Sequence, residues 1–118
     1  MPPNPTADTL ARRMAAHAID FKADDVVLLD LKGLTEMTDW FLIASGTSDT
    51  HVRSIAARIQ AAMAANGVRP ARVEGETSGR WVVLDYVDVV VHVFHPTLRA
   101  FYQLERLWGD APAHAVTA

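Results

Sequence analysis

Cysteine is absent from the 118 residues, which excludes a disulfide framework, a thiolate zinc site and a thiol nucleophile. No apolar run approaches the roughly 20 residues that a membrane-spanning helix needs. The opening segment MPPNPTADT has neither a basic n-region nor an apolar h-region, so it does not read as a signal peptide. An excess of positive charge is missing too: 11 Lys and Arg stand against 14 Asp and Glu, a formal net charge of −3. Proteins that grip nucleic acid by its phosphates are usually basic, because phosphate neutralisation supplies most of that affinity. A dedicated nucleic-acid site is therefore not expected, whereas a basic protein partner suits the balance. These absences together predict a soluble, cytoplasmic protein.

What is present is a chain that is half apolar, enough for one compact domain with one core. Three prolines in residues 1–6 predict a loose N-terminal tail, and the small, polar GDAPAHAVTA predicts fraying at the other end. The expected division is a tail over 1–6, a single domain over 7–109 and a tail over 110–118.

Inside the domain, Leu10, Met14, Ala18 and Phe21 fall on one stripe and predict a helix from about Asp8, capped by Thr6 or Asp8. The continuous apolar run VVLLDL, 26–31, predicts a buried strand, and KGLTEMTD leads to a second strand, WFLIAS, 40–45. A helix over about 49–66 carries the stripe Val52, Ile55, Ile59 and Met63 and ends at Asn66–Gly67. Short strands follow near 71–73, at WVVLDY (81–86) and at DVVVHVF (88–94). Pro96 then opens a last helix with Leu98, Phe101, Leu104, Leu107 and Trp108 on one side. The order α-β-β-α-β-β-β-α predicts an α/β (α+β) fold, a mixed five-stranded sheet with three helices. The strand–helix–strand unit over 40–73 predicts one parallel pair with a right-handed crossover.

Several patterns could carry chemistry. His92 and His95 form a His-x-x-His pair, but three residues apart in an extended strand places them on opposite faces, unsuited to ligands converging at about 2 Å. The turn Ser45–Asp49 opens a helix and could hold a phosphate. It lacks the Gly-x-x-x-x-Gly-Lys-Ser/Thr pattern, and Ser, Thr and Asp are the ordinary caps there. Glu74 and Glu76 could hold a divalent metal, although their glycine-rich surroundings favour a solvated loop. No Gly-x-Ser-x-Gly elbow is present.

In the fourth strand Trp81, Val83 and Asp85 share one face, and Val82, Leu84 and Tyr86 share the other. Val82 and Leu84 suit a helix-covered face, which leaves Trp81 and Asp85 on the other side. An aromatic beside a carboxylate is a fit anchor for a partner, but Trp81 covering a core edge and Asp85 starting a turn fits the pattern equally. For His92, a hydrogen-bonded core residue and a histidine on an uncovered sheet face both remain open. An exposed strand or tryptophan face would also favour self-association, so a homodimer of the free protein is a further expectation.

The segments DWFLIASGTSDTHV, VEGE and WVVLDYVDVVVHVFHPTLRAFYQLERLW resemble the ribosomal silencing factor family, also called the Iojap-related proteins. The likeness covers about residues 8–108. Thr38-Asp39-Trp40-Phe41 matches the family's Thr-Asp-Tyr/Phe-Phe step, and Ala44-Ser45-Gly46-Thr47-Ser48 its strand-to-helix turn. Asp85-Tyr86, Asp88 and Val90-Val91-His92-Val93-Phe94 match its most recognisable run, and Phe101-Tyr102 with Leu104-Glu105 its last helix. Two positions depart from it. Val87 stands where glycine is common in the Asp-Tyr-Gly-Asp turn, which predicts a changed turn geometry because a β-branched residue tolerates positive φ poorly. His95 stands where a threonine often caps the last helix.

The resemblance implies a fold like that of nucleotidyltransferases, but function by binding. The partner implied is the large ribosomal subunit, gripped through its ribosomal protein number fourteen. Docking there blocks joining of the small subunit and lowers translation when nutrients are short. No catalytic residue, cofactor or metal is implied. No pair of carboxylates at Asp-x-Asp spacing follows Gly46-Thr47-Ser48, as two-metal phosphoryl transfer would need. The resemblance also turns the balance on the fourth strand towards a recognition face. The partner-binding residues it implies are Trp81, Asp85, Tyr86, Asp88, His92, Phe94 and Tyr102. The rival reading is a small nucleotidyltransferase-like enzyme with a phosphate at the 45–49 turn and a metal at Glu74, Glu76 or Asp85.

Overall fold

The computed structural model describes residues 6–98 and 108–116. Helix α1 spans Ala7–Asp20; the Thr6 hydroxyl accepts the Thr9 N–H and Asp8 lies in its first turn, where an acid complements the helix dipole. Met14 and Ala18 of the expected stripe are buried, joined by Ala11 and Ala15. Helix α2 spans Asp49–Ala65, with Ser48 accepting the His51 N–H as its cap. The predicted stripe of Val52, Ile55, Ile59 and Met63 is buried in full. A further helix begins at 96–98; Phe101, Tyr102, Leu104 and Leu107 of the last predicted helix lie outside the described residues.

The strands are β1 Asp24–Asp30, β2 Trp40–Ser45, β3 Arg72–Glu74, β4 Trp81–Asp85, β5 Val89–Phe94 and β6 Ala113–Ala115. They form one sheet in the order β3-β4-β5-β2-β1-β6. The sheet therefore has six strands, not five. The sixth falls in the segment 110–118 that was expected to fray, and its three residues are all exposed. Backbone pairing holds this end: the Asp30 N–H donates to the Pro112 carbonyl at 2.9 Å and the Val116 N–H to the Val26 carbonyl at 2.8 Å. A strand edge can recruit a short polar segment through its main chain alone, which hydrophobic patterning does not register.

The parallel pair also differs from expectation. β2 pairs in parallel with β5, Trp40 opposite Val89 through Ser45 opposite Phe94. β3 runs in the same direction but sits at the edge, antiparallel to β4. The crossover from β2 thus returns through α2, β3 and β4 before the parallel partner is laid down. Across the tight 86–88 turn β4 and β5 pair as a hairpin, and β5 is the strand of that hairpin that lies beside β2.

The sheet packs on both faces. Leu28, Leu42, Val82, Leu84, Val91 and Val93 meet α1 and α2 in the main core. Leu29, Leu31, Ile43, Phe94 and Ala111 form a second cluster with Trp81, Phe41, Leu98 and Trp108 against it. Leu28 and Leu29 are neighbours in sequence and both buried, one in each cluster, which is why β1 reads as a continuous apolar run. Among the described residues no helix is long and apolar enough to cross a membrane.

Candidate functional site

The β4–β5 hairpin brings most of the singled-out residues together. Trp81 lies opposite Phe94, Val83 opposite His92 and Asp85 opposite Val90. Trp81, Asp85 and His92 therefore share one face, as the strand alternation predicts. That face is not open at Trp81. The indole stacks on Phe94 at 5.0 Å between centroids, and its Nε1 donates to Nδ1 of His92 at 3.1 Å. Phe41 meets the His92 ring edge-on at 4.6 Å and Trp108 at 6.0 Å. His92 is 6% exposed and Phe94 1%. Both are therefore packed beside Trp81 and not on an uncovered face, and His92 takes the hydrogen-bonded core position that was its other reading. Tyr86 lies on the helix-covered face with Val82 and Leu84, as the alternation predicts. It is buried and belongs to the helix-side core.

Burial decides the electrostatics. It pushes the His92 pKa down to about 4, so the imidazole is neutral near pH 7. Since Nδ1 accepts from Trp81, the proton sits on Nε2, which has no hydrogen-bond partner among the described residues. Burial also pushes the Tyr86 hydroxyl up to about 12. A neutral imidazole bonded to an indole is a poor general base. Asp85 does not assist it: its Oδ1 accepts the Val87 N–H at 2.8 Å, and it sits opposite Val90, not His92. The geometry is that of a braced surface and not of a carboxylate–histidine dyad.

The turn beyond Asp85 keeps the geometry that glycine would take. Val87 has φ 74°, so the expected change of conformation at this position is corrected. Around it the Tyr86 N–H donates to the Val89 carbonyl at 2.8 Å and the Asp88 N–H to the Tyr86 carbonyl at 2.9 Å. Asp88 is exposed. Its carbonyl accepts the N–H groups of both Asp39 and Trp40 at 3.1 Å, locking the hairpin tip to the β1–β2 connection.

The residues of the alternative centres make local contacts of their own. At the 45–49 turn the Thr47 N–H donates to Nδ1 of His51 at 2.9 Å, and Ser48 is used as the cap. Nε2 of His51 donates to the Phe21 carbonyl at 2.9 Å, tying this turn to the end of α1. A Cβ on Gly46 would come within 2.8 Å of the Val52 backbone nitrogen, so the chain passes too close to α2 for a side chain. Glu74 pairs with Arg72 at 3.8 Å, while Glu76 accepts from Gln60 at 3.2 Å, so the two carboxylates are engaged separately. The second histidine of the His-x-x-His pair, His95, accepts the Thr97 N–H on Nδ1 at 3.3 Å, capping the final helix in place of a threonine. Among the described residues no group of three or more His, Asp or Glu is placed to hold a metal. Sequence reasoning missed the bridging role of His51, whose signal was only its place in the first turn of α2.

The family model for "ribosomal silencing factor during starvation" matches residues 4–118. The chain belongs to the ribosomal silencing factor family. A relative named ribosomal silencing factor RsfS from Bacillus subtilis is 46% identical over 101 residues, 85% of this chain and 86% of that protein. The chloroplastic protein Iojap of Zea mays is 32% identical over 93% of this chain and 51% of its own length. A crystal structure of a Chromobacterium violaceum protein superposes with a TM-score of 0.86 at 31% identity, covering 97% of this chain and 95% of that one.

Proposed function

We propose that this chain is a ribosome-associated translational repressor that acts by binding and not by catalysis. It docks on the large ribosomal subunit through ribosomal protein number fourteen, blocks joining of the small subunit and lowers translation under nutrient limitation. The observation that carries the reading is the family match across nearly the whole chain. The geometry supports it, because Trp81 is held rigidly by Phe94 and His92 and a partner meeting its half-buried edge finds a preorganised anchor. Asp88 is the exposed member of the site, while Trp81 and Asp85 are both half-buried. His92 and Phe94 brace Trp81 from behind, and Tyr86 packs on the helix side of the sheet.

Sedimentation with separated subunits tests the proposal. The protein should travel with large subunits, not with small ones, and should reduce the formation of whole ribosomes when both are mixed. Co-migration with neither subunit overturns it. Magnesium-dependent binding of a nucleoside triphosphate by the pure protein would favour a nucleotidyltransferase instead.

A further inference from the structure

Among the described residues, three large apolar side chains are exposed: Leu34 at 45%, Met37 at 80% and Val87 at 60%. Isolated exposed apolar residues need no explanation, but these three are not scattered. Leu34 and Met37 lie in the β1–β2 connection and Val87 in the β4–β5 turn, and the two loops are joined through the Asp88 carbonyl. They occupy one end of the sheet, where β1 and β4 finish and β2 and β5 begin.

Hydrogen bonds brace the longer loop. The Leu31 N–H donates to the Asp39 carbonyl at 2.9 Å, closing its base. Leu34 and Thr35 donate to the Leu31 carbonyl at 3.0 and 3.3 Å. The Met37 N–H donates to the Thr35 hydroxyl at 3.2 Å. A braced loop that keeps Met37 in water carries a binding surface at little ordering cost.

The two loops carry an acidic rim; the nearest cations of the β3 edge are Arg69 and Arg72, and Arg72 is paired with Glu74 at 3.8 Å. Glu36 and Asp88 are exposed and Asp39 half-buried. The lone cation of the connection, Lys32, is drawn back from it. Its Nζ lies 4.0 Å from Asp30 and 5.0 Å from the centre of the Trp40 ring. Apolar pins within carboxylates match a surface of opposite charge with an apolar centre, and they repel phosphate.

We propose that Leu34, Met37 and Val87, rimmed by Glu36, Asp39 and Asp88, form a docking tip that inserts into a basic protein surface with an apolar centre on the large subunit. The proposal rests on the ribosome-binding reading and deepens it: the contact extends past Trp81 to the end of the sheet. Met37, flexible and polarisable, suits an irregular recess. The carboxylates set orientation and encounter rate.

Full-length protein is sedimented with separated large subunits over a range of salt. The double variant L34S/M37S should bind at least about tenfold more weakly than the parent, with little change in melting temperature because Met37 faces solvent and Leu34 is nearly half exposed. Glu36→Lys should weaken binding at low salt, and its deficit should shrink as salt screens the rim. If the parent binds and L34S/M37S binds within about twofold of it, the tip is not an anchor and the proposal falls. If L34S/M37S melts lower, Met37→Ser alone decides: lost binding with an intact fold supports the tip, and undiminished binding overturns it. If the parent itself does not travel with large subunits, the ribosome reading fails first. The two failures are thus separable.

Discussion

Replacing Val87 by glycine should make this protein more stable. Val87 holds φ 74°, a region that costs an L-residue about 1–2 kcal/mol and a β-branched one more. The Asp88 N–H to Tyr86 carbonyl bond at 2.9 Å closes a three-residue turn around it, and turns of this hand are rare and strained. Relief of that strain is worth about 2 kcal/mol. Two effects oppose it. Glycine loses more conformational freedom on folding, about 0.5–1 kcal/mol. The valine side chain is mostly exposed, so its lost contacts add only a few tenths. The balance is about 0.5–1 kcal/mol of stabilisation, or roughly 2–6 °C in melting temperature for a domain of this size. Thermal unfolding followed by circular dichroism measures it on parent, Val87→Gly and Val87→Asn. Asparagine tolerates the left-handed region without glycine's entropic cost, so it should also raise the melting point. If both variants melt at or below the parent, the turn is not strained and the reasoning fails.

Further outcomes follow from the same geometry. Burial lowers the His92 pKa to about 4: the unfolded chain binds a proton below about pH 6.5 that the folded chain refuses, so stability is complete above that pH. It should fall by up to about 3 kcal/mol as pH drops towards 4, and denaturant titrations of His92→Gln should show a flatter profile over this window. Gly75→Ala should destabilise severely, by about 3 kcal/mol or more: an added Cβ would lie 1.9 Å from the Trp81 carbonyl oxygen and Gly75 has φ 83°. Expression level and melting temperature would show it, and a variant that melts like the parent would refute the close approach. Trp81→Ala should lower both stability, by about 2–3 kcal/mol, and large-subunit binding. Trp81→Phe should recover most of the stability but leave Nδ1 of His92 without the indole donor; equal stability of the alanine variant and the parent would break the packing account.

The sequence by itself determined the local elements. The 3.6-residue stripes of Met14 and Ala18 and of Val52 to Met63 located α1 and α2, and the alternation of Trp81, Val83 and Asp85 against Val82 and Leu84 assigned the helix-covered face of β4. These readings hold because burial on one side of a periodic element is a local property of the chain. The motif runs at 38–48, 85–94 and 101–105 together placed the chain in its family.

Only the tertiary structure decided how the elements share space. Which strand lies beside β2 depends on the hairpin pairing of β4 with β5, and β6 is recruited by backbone groups that carry no sequence signature. It also decided that the second face is packed, because Leu29, Ile43 and Phe94 come from three strands distant in sequence. That packing buries His92 and Phe94 against Trp81. Asp85 proved to brace a turn whose left-handed residue is a valine, since the hydrogen bonds of the hairpin and of the adjoining β1–β2 connection together fix a backbone angle that local preference would refuse.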